Sequence, residues 1–366
     1  MGRILDHIEV EGFKSIRQMA LDLKPLNVML GPNGVGKSNF IGLFRLLHQI
    51  VERNLQTYVG QSGGADALLH FGAKRTRRLA VKLAFADRAN GYECTLVPTL
   101  DGGFVFQDET IWFHDKSRYK RPYPESLGSG HKETGLYNQQ GQPATRIGGH
   151  VIHDLSSWRI YHFHDTSPEA KVKQFCDLHD NSVLRGDASN LAAFLFRLRE
   201  RSPDHYRNIA DGVRMVAPFF DDFVLKPSEL NKEKIRLEWK EKGTDTYFGP
   251  AALSDGTLRF ICLATLLLQP YLPSTILLDE PELGLHPYAI TLLADLLRGA
   301  STKTQAIVAT QSVSLVNQFE PQDVLIVERE DGQSVFKHMD QQSMQDWLED
   351  YGLGDLWEKN LLGGRP

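Results

Sequence analysis

Gly31-Pro32-Asn33-Gly34-Val35-Gly36-Lys37-Ser38 is the stretch on which the reading of the fold turns. It follows the apolar run Leu26-Asn27-Val28-Met29-Leu30, and after it Phe40, Leu43, Phe44, Leu47, Ile50 and Val51 recur at helical spacing. A buried strand, a glycine-rich turn and an amphipathic helix in that order make a phosphate-binding loop. Glycines let backbone N–H groups curl around nucleotide phosphates, a lysine neutralises the β/γ charge, and a hydroxyl ligates Mg²⁺. The helix N-terminus adds its partial positive charge at the same place. Asn33, Gly34, Gly36, Lys37, Ser38 and Asn39 are therefore candidate nucleotide contacts, Ser38 doubles as a metal ligand, and Lys37 doubles as a catalytic group.

Outward from this loop, the 366 residues are 41% hydrophobic and 24% charged, which describes a globular chain long enough for a large core in two lobes. The apolar stretches, such as Phe260 to Leu268, fall far short of the roughly twenty residues a membrane span needs, and the N-terminus carries no leader pattern, so a cytoplasmic protein with no membrane partner is expected. Cys94, Cys176 and Cys262 lie far apart with no C-x-x-C spacing, which argues for reduced, structural thiols. The formal net charge of −5 makes no global case for nucleic-acid binding. Local basic clusters such as Lys74-Arg75 with Arg77-Arg78 leave DNA open as a partner.

Two alternating runs between Ile4 and Leu23 predict paired strands ahead of the core strand. After the first helix, Leu79 to Phe85, Tyr92 to Pro98 and Phe104 to Phe113 read as antiparallel strands of an inserted β subdomain, with Asn90-Gly91 and Asp101-Gly102 as turns. Asp115 to His150 lacks periodicity and is expected as an exposed loop, and His114, His131 and His150 within reach of it have no ligand-like spacing. Trp158 to His164 returns as a strand. Ser189 to Val224 predicts helices divided by Pro203 and Pro218, Ile235 to Trp239 with Tyr247-Phe248 predicts a hairpin, and alternating strands and helices follow. The expected divisions are an ATP-binding lobe over 1–170, a helical subdomain over 171–228, and a lobe over 229–366 holding the remaining motifs.

A second chemical cluster is Thr275-Ile276-Leu277-Leu278-Asp279-Glu280-Pro281, an apolar strand ending in adjacent carboxylates and stopped by proline. Ligands in open α/β sheets sit at the carboxyl ends of strands, so Asp279 can reach Mg²⁺ while Glu280 orients or deprotonates a water attacking the γ-phosphate. About twenty residues upstream, Leu253-Ser254-Asp255-Gly256-Thr257 opens another helix. Serine there is an N-cap. Ser254 and the Gly256 backbone also offer a second anion-binding end, which is useful to one nucleotide only if it comes from a neighbouring copy.

Order and spacing resemble the ABC-type ATPases of the SMC, RecF and OLD-like group. The Walker A motif falls at Gly31 to Ser38, the signature at Leu253 to Thr257, Walker B at Ile276 to Glu280, the D-loop at Leu283 to His286, and the switch strand ends Ala309-Thr310-Gln311-Ser312. The likeness extends over the chain and is strongest for the compact, armless RecF-like AAA family ATPases of bacterial antiviral defence or DNA repair operons, whose ending resembles Leu353 to Pro366. It implies an α/β ABC-ATPase head with a P-loop core sheet, an inserted antiparallel β subdomain and a helical subdomain. It also implies ATP and Mg²⁺ as cofactors, ATP hydrolysis, and a head-to-tail homodimer or higher homo-oligomer in which Ser254 and Gly256 contact the γ-phosphate in trans.

Three positions depart from the family pattern. Gln311 stands where ABC proteins commonly have histidine; it can hydrogen-bond a γ-phosphate or water but carries no proton, so hydrolysis is expected to be slow or gated. His164 falls at the place of the Q-loop glutamine, and His286 replaces a frequent D-loop aspartate. Two readings follow: an ATPase coupled to DNA or a partner effector, and a nucleotide-gated scaffold with negligible hydrolysis that holds a partner nuclease or toxin. After Ser312 a strand pair and a helix over Gln341 to Tyr351 are expected, so a nuclease would have to come from a partner chain.

Overall fold

The computed structural model describes residues 4–339 and 351–361. The helix expected from Gln341 lies, apart from Tyr351, outside them, as do the last five residues of the ending. In chain order, β1 (Leu5–Phe13), β2 (Ile16–Asp22) and β3 (Leu26–Leu30) lead to α1 (Lys37–Val51), α2 (Leu55–Gln61) and α3 (Ala65–Leu68). Next come β4 (Leu79–Phe85), β5 (Asn90–Pro98), β6 (Phe104–Phe113), β7 (Tyr123–Gly128), α4 (Arg146–Ser156), β8 (Trp158–Tyr161) and β9 (Cys176–Asp177). They are followed by α5 (Leu191–Arg201), α6 (Pro203–Val216), β10 (Phe220–Phe223), β11 (Lys234–Ile235), β12 (Trp239–Glu241), β13 (Tyr247–Phe248) and α7 (Asp255–Leu268). The chain continues through β14 (Thr275–Asp279), α8 (Pro287–Ser301), β15 (Gln305–Thr310), α9 (Val313–Val316), β16 (Val324–Glu330) and β17 (Gln333–His338), and the described part ends after a short helix over Leu353–Glu358.

The chain divides into two compact units. The first takes residues 1–158, 273–277 and 304–366; the second takes 159–272 and 278–303. One six-stranded sheet of the first unit is antiparallel in the order β2-β1-β4-β5-β6-β7, so the inserted strands extend the sheet that the N-terminal pair begins. A second six-stranded sheet has the order β17-β16-β3-β15-β14-β8, and the chain passes from one unit to the other within β14 and β8. β3 pairs in parallel with β15 and β16, and every residue of β3 and β15 is buried, as expected of strands covered on both faces. Phe40, Leu43, Phe44, Leu47, Ile50 and Val51 of α1 are each no more than 1% exposed, so the helical period seen in the sequence is the buried face.

The region expected to be a loop over Asp115 to His150 contains β7 and the first turn of α4. Gly148 and Gly149 weaken the helical pattern of α4, yet Thr145 accepts a hydrogen bond from the Gly148 amide at 3.0 Å and Val151 and Leu155 are fully buried. The loop between β7 and α4 is anchored by Glu109, fully buried on β6. Its carboxylate accepts from Tyr92 Oη at 2.7 Å, Thr134 Oγ1 at 2.6 Å and the Gly135 amide at 2.7 Å, and His131 Nε2 lies 2.8 Å away. Glu133 in the same loop accepts from the Leu55 and Gln56 amides, both at 3.0 Å, and so caps α2.

In the second unit Pro203 separates α5 from α6 as the sequence implies. The predicted hairpin is shorter than expected. β12 pairs with β13, but Ile235 belongs to β11, which pairs with Cys176 of β9. Among the described residues no helix is long and apolar enough to cross a membrane.

Candidate nucleotide site

In the first unit, the glycine-rich turn is shaped from behind. Gly31 is pressed against β16: a Cβ there would lie 2.4 Å from the Val327 carbonyl oxygen. Gly36 has φ +115°, and its Cβ would meet Ser334 Oγ at 2.0 Å and Ser15 Oγ at 2.7 Å, so no other residue fits. The hydroxyls beneath it form a directed chain. Asn39 Nδ2 donates to Ser15 Oγ at 2.7 Å, Ser15 and Ser334 are 2.6 Å apart, and Ser334 Oγ lies 2.5 Å from the Val35 carbonyl. An amide nitrogen only donates and a carbonyl only accepts, so the protons run from Asn39 through Ser15 and Ser334 to Val35. Ser334 also donates its backbone amide to the Ser15 carbonyl at 2.7 Å, and Arg329 reaches the Gly34 carbonyl at 3.3 Å.

This geometry fits a nucleotide phosphate. Gly36 is the N-cap of α1 and has no side chain to occupy the first-turn amides, while Ser38 and Asn33 are exposed. Lys37 is 5% exposed and curls over the turn, its Nζ 2.5 Å from the Gly31 carbonyl and 2.9 Å from that of Pro32. An ammonium carries three donors, and these two contacts are to neutral carbonyls of the turn itself. The switch position lies in the same unit: Thr310 is in register with Leu30, so Gln311 and Gly31 leave adjacent strand ends. Thr310 Oγ1 accepts from the Ser312 amide at 2.9 Å and Ser312 caps α9, which fixes the backbone around the half-buried Gln311.

In the second unit, Asp279 and Glu280 share the wall of one narrow pocket with His164, Phe163, Tyr161 and Arg259. The position that the sequence reading assigned to the Q-loop is thus beside the two carboxylates. Glu280 has φ +42°, a left-handed conformation that costs a non-glycine residue on the order of 1–3 kcal/mol and is kept where the surroundings impose it. Ser254 is the exposed N-cap of α7. Its Oγ accepts from the Thr257 amide at 3.1 Å and contacts Thr257 Oγ1 at 2.8 Å. A hydroxyl has one donor and two acceptor positions, so capping leaves it able to engage a phosphate oxygen. Asp255 pairs with Lys173 at 3.6 Å, which offsets its negative charge at the helix start. His286 is the N-cap of α8, its Nδ1 accepting from the Tyr288 amide at 3.4 Å, a capping task that aspartate also performs.

The chain has the fold of an SMC head domain. Two solved structures carry this: an SMC head bound to the C-terminal winged-helix domain of ScpA, with TM-score 0.58, 18% identity, and coverage of 93% of this chain and 99% of that one; and the Pyrococcus furiosus SMC head with an extended coiled coil bound to the C-terminal domain of ScpA, with TM-score 0.56, 16% identity, and coverage of 95% and 99%. Residues 152–317 match the family described as AAA domain, putative AbiEii toxin, Type IV TA system, and residues 3–95 match a family described as a protein of unknown function. No curated protein matches the chain. The segment matched by that AAA family model, 152–317, includes His164, Ser254, Gly256, Asp279, Glu280 and Gln311.

Ser15, Ser334 and Arg259, which hold these turns, carry no signal in the sequence. Ser15 and Ser334 stand 319 positions apart and carry no motif, and Arg259 acts on backbone carbonyls, which leave no trace in side-chain spacing.

Proposed function

We propose that the chain binds ATP with Mg²⁺ and hydrolyses it as a head-to-tail dimer, coupling the cycle to a partner effector or DNA in antiviral defence or DNA repair. The observation that carries this reading is the uncapped start of α1 under a glycine turn whose lysine is already folded over it. Ser38 in the first unit and Asp279 in the second are each a candidate Mg²⁺ ligand, and Mg²⁺ when bound would neutralise phosphate charge. Lys37 compensates the phosphate charge, Glu280 orients and deprotonates the attacking water, and His164 supplies a polar contact beside it. Gln311 hydrogen-bonds the γ-phosphate or water without taking a proton. Ser254 and Gly256 of a second copy close the site.

The AbiEii-type description of the matched family supports the defence setting, and the ScpA domains on the similar SMC heads support a protein partner for this head. Gln311 favours a second reading, a nucleotide-gated scaffold that turns over negligible ATP while holding a nuclease or toxin. Steady-state ATP turnover with and without DNA, for the wild type and Lys37→Ala, separates them. An ATPase shows turnover that Lys37→Ala abolishes; a scaffold binds ATP but stays at the background of Lys37→Ala in both conditions.

A further inference from the structure

Arg259 lies one turn into α7, the helix that Ser254 caps, and is 6% exposed. Burial pulls its pKa below the usual arginine value, with Asp255 and Cys262 acting in the opposite direction. Three of its five N–H donors go to backbone carbonyls. Nε donates to the Phe163 carbonyl at 2.9 Å, one terminal nitrogen to the His164 carbonyl at 3.1 Å, and the other to the Leu283 carbonyl. Those carbonyls belong to two separate turns, one after β8 and one after β14. The second begins at Glu280, whose carbonyl accepts from the Leu283 amide at 3.2 Å.

Two glycines make this contact close. A Cβ on Gly284, at φ +75°, would lie 2.8 Å from the Arg259 guanidinium, and a Cβ on Gly256 would lie 2.4 Å from the Gly284 carbonyl oxygen. The signature turn, the His164 turn and the turn that carries Glu280 are therefore interlocked through one planar, rigid cation within a single unit. Lysine cannot substitute, because a point charge lacks the fork that meets three carbonyls at once.

We propose that Arg259 is a positioning residue that transmits engagement of the signature turn to Glu280 and His164, so that the water-activating carboxylate is aligned only when Ser254 and Gly256 are seated on a nucleotide. This rests on the nucleotide reading given above. Three backbone acceptors on two turns give the guanidinium no freedom to move with one turn and not the other.

The test compares full-length wild type with Arg259→Lys, and with Arg259→Gln as a second variant should either fold poorly. Thermal melting establishes that each is folded. Hydrogen–deuterium exchange is read on peptides covering Phe163–Asp165 and Leu283–Leu285, and kcat and KM for Mg·ATP are read on the same samples. The proposal expects both peptides to exchange faster together, on the order of tenfold. It expects kcat to fall about a hundredfold with KM within twofold of wild type, since misalignment leaves nucleotide capture by Lys37 and Ser38 intact. Acceleration in only one peptide, or in neither, overturns the coupling. Unchanged kcat in a variant whose two peptides both loosen overturns the link to Glu280. A wild type without turnover contradicts the nucleotide-hydrolysis reading itself, while the exchange data still decide whether Arg259 joins the two turns.

Discussion

The α-carbon of Gly256 packs against the carbonyl oxygen of Gly284, close enough that a Cβ on Gly256 would lie 2.4 Å from that oxygen. The glycine of the signature turn thus has a structural task within its own chain besides the phosphate contact proposed in trans. Gly256→Ala pushes backbone against backbone, with no flexible side chain to yield. Overpacking of this kind costs about 1–3 kcal/mol, and a lowered Tm even without nucleotide is expected. An unchanged Tm would mean that the two turns can separate freely.

Ser334 tests whether the phosphate loop is held from behind. Ser334→Ala removes the donor to the Val35 carbonyl and the acceptor for Ser15, both buried or half-buried. Stability should drop by about 1–3 kcal/mol, the cost of stranding buried polar groups. Affinity for ATP should fall as well, because the loop that Gly36 needs is no longer braced. Isothermal titration with ATP reads the affinity, and Ser334→Ala with undiminished affinity would show the loop to be self-supporting.

The proportion of this arrangement legible in the sequence follows from how local each signal is. α1 was legible because Phe40, Phe44, Leu47 and Ile50 repeat on one face with no competing signal. The strands β3 and β14 were legible because apolar runs ended in chemistry-bearing residues. α4 was not, since Gly148 and Gly149 mask its period and its N-cap depends on Thr145. The partner of β11 was not either: pairing Ile235 with Cys176 rather than with the nearer Tyr247-Phe248 is decided by packing across 59 residues. Arg259 carries no signal of its own in the sequence, because the carbonyl of His164 that it holds is 95 positions away.

Cysteine chemistry gives a pH prediction. Burial pushes the Cys262 thiol from its ordinary 9.0 up to about 12, and burial also raises Cys94 and the half-buried Cys176. A thiol whose folded pKa is raised stays protonated, so its contribution to stability is complete below pH 9 and is lost as pH rises from 9 toward 12. The native protein at pH 8 should react with a maleimide or a disulfide reagent slowly and at Cys176 first, with all three thiols reacting after denaturation. Rapid labelling of Cys262 in the folded protein would contradict the burial described here.

The proposed nucleotide chemistry belongs to a pair of chains, with Lys37 and Ser38 of one copy and Ser254 of the other sharing each ATP. Glu280→Gln keeps the side-chain shape and removes the carboxylate that would activate water. Light scattering after size exclusion, on Glu280→Gln with Mg·ATP and then with Mg·ADP, measures whether two copies share the nucleotide. A stable dimer with ATP that dissociates with ADP is expected, with loss of that dimer when Ser254→Arg is added. A mass that does not change between ATP, ADP and no nucleotide would contradict it.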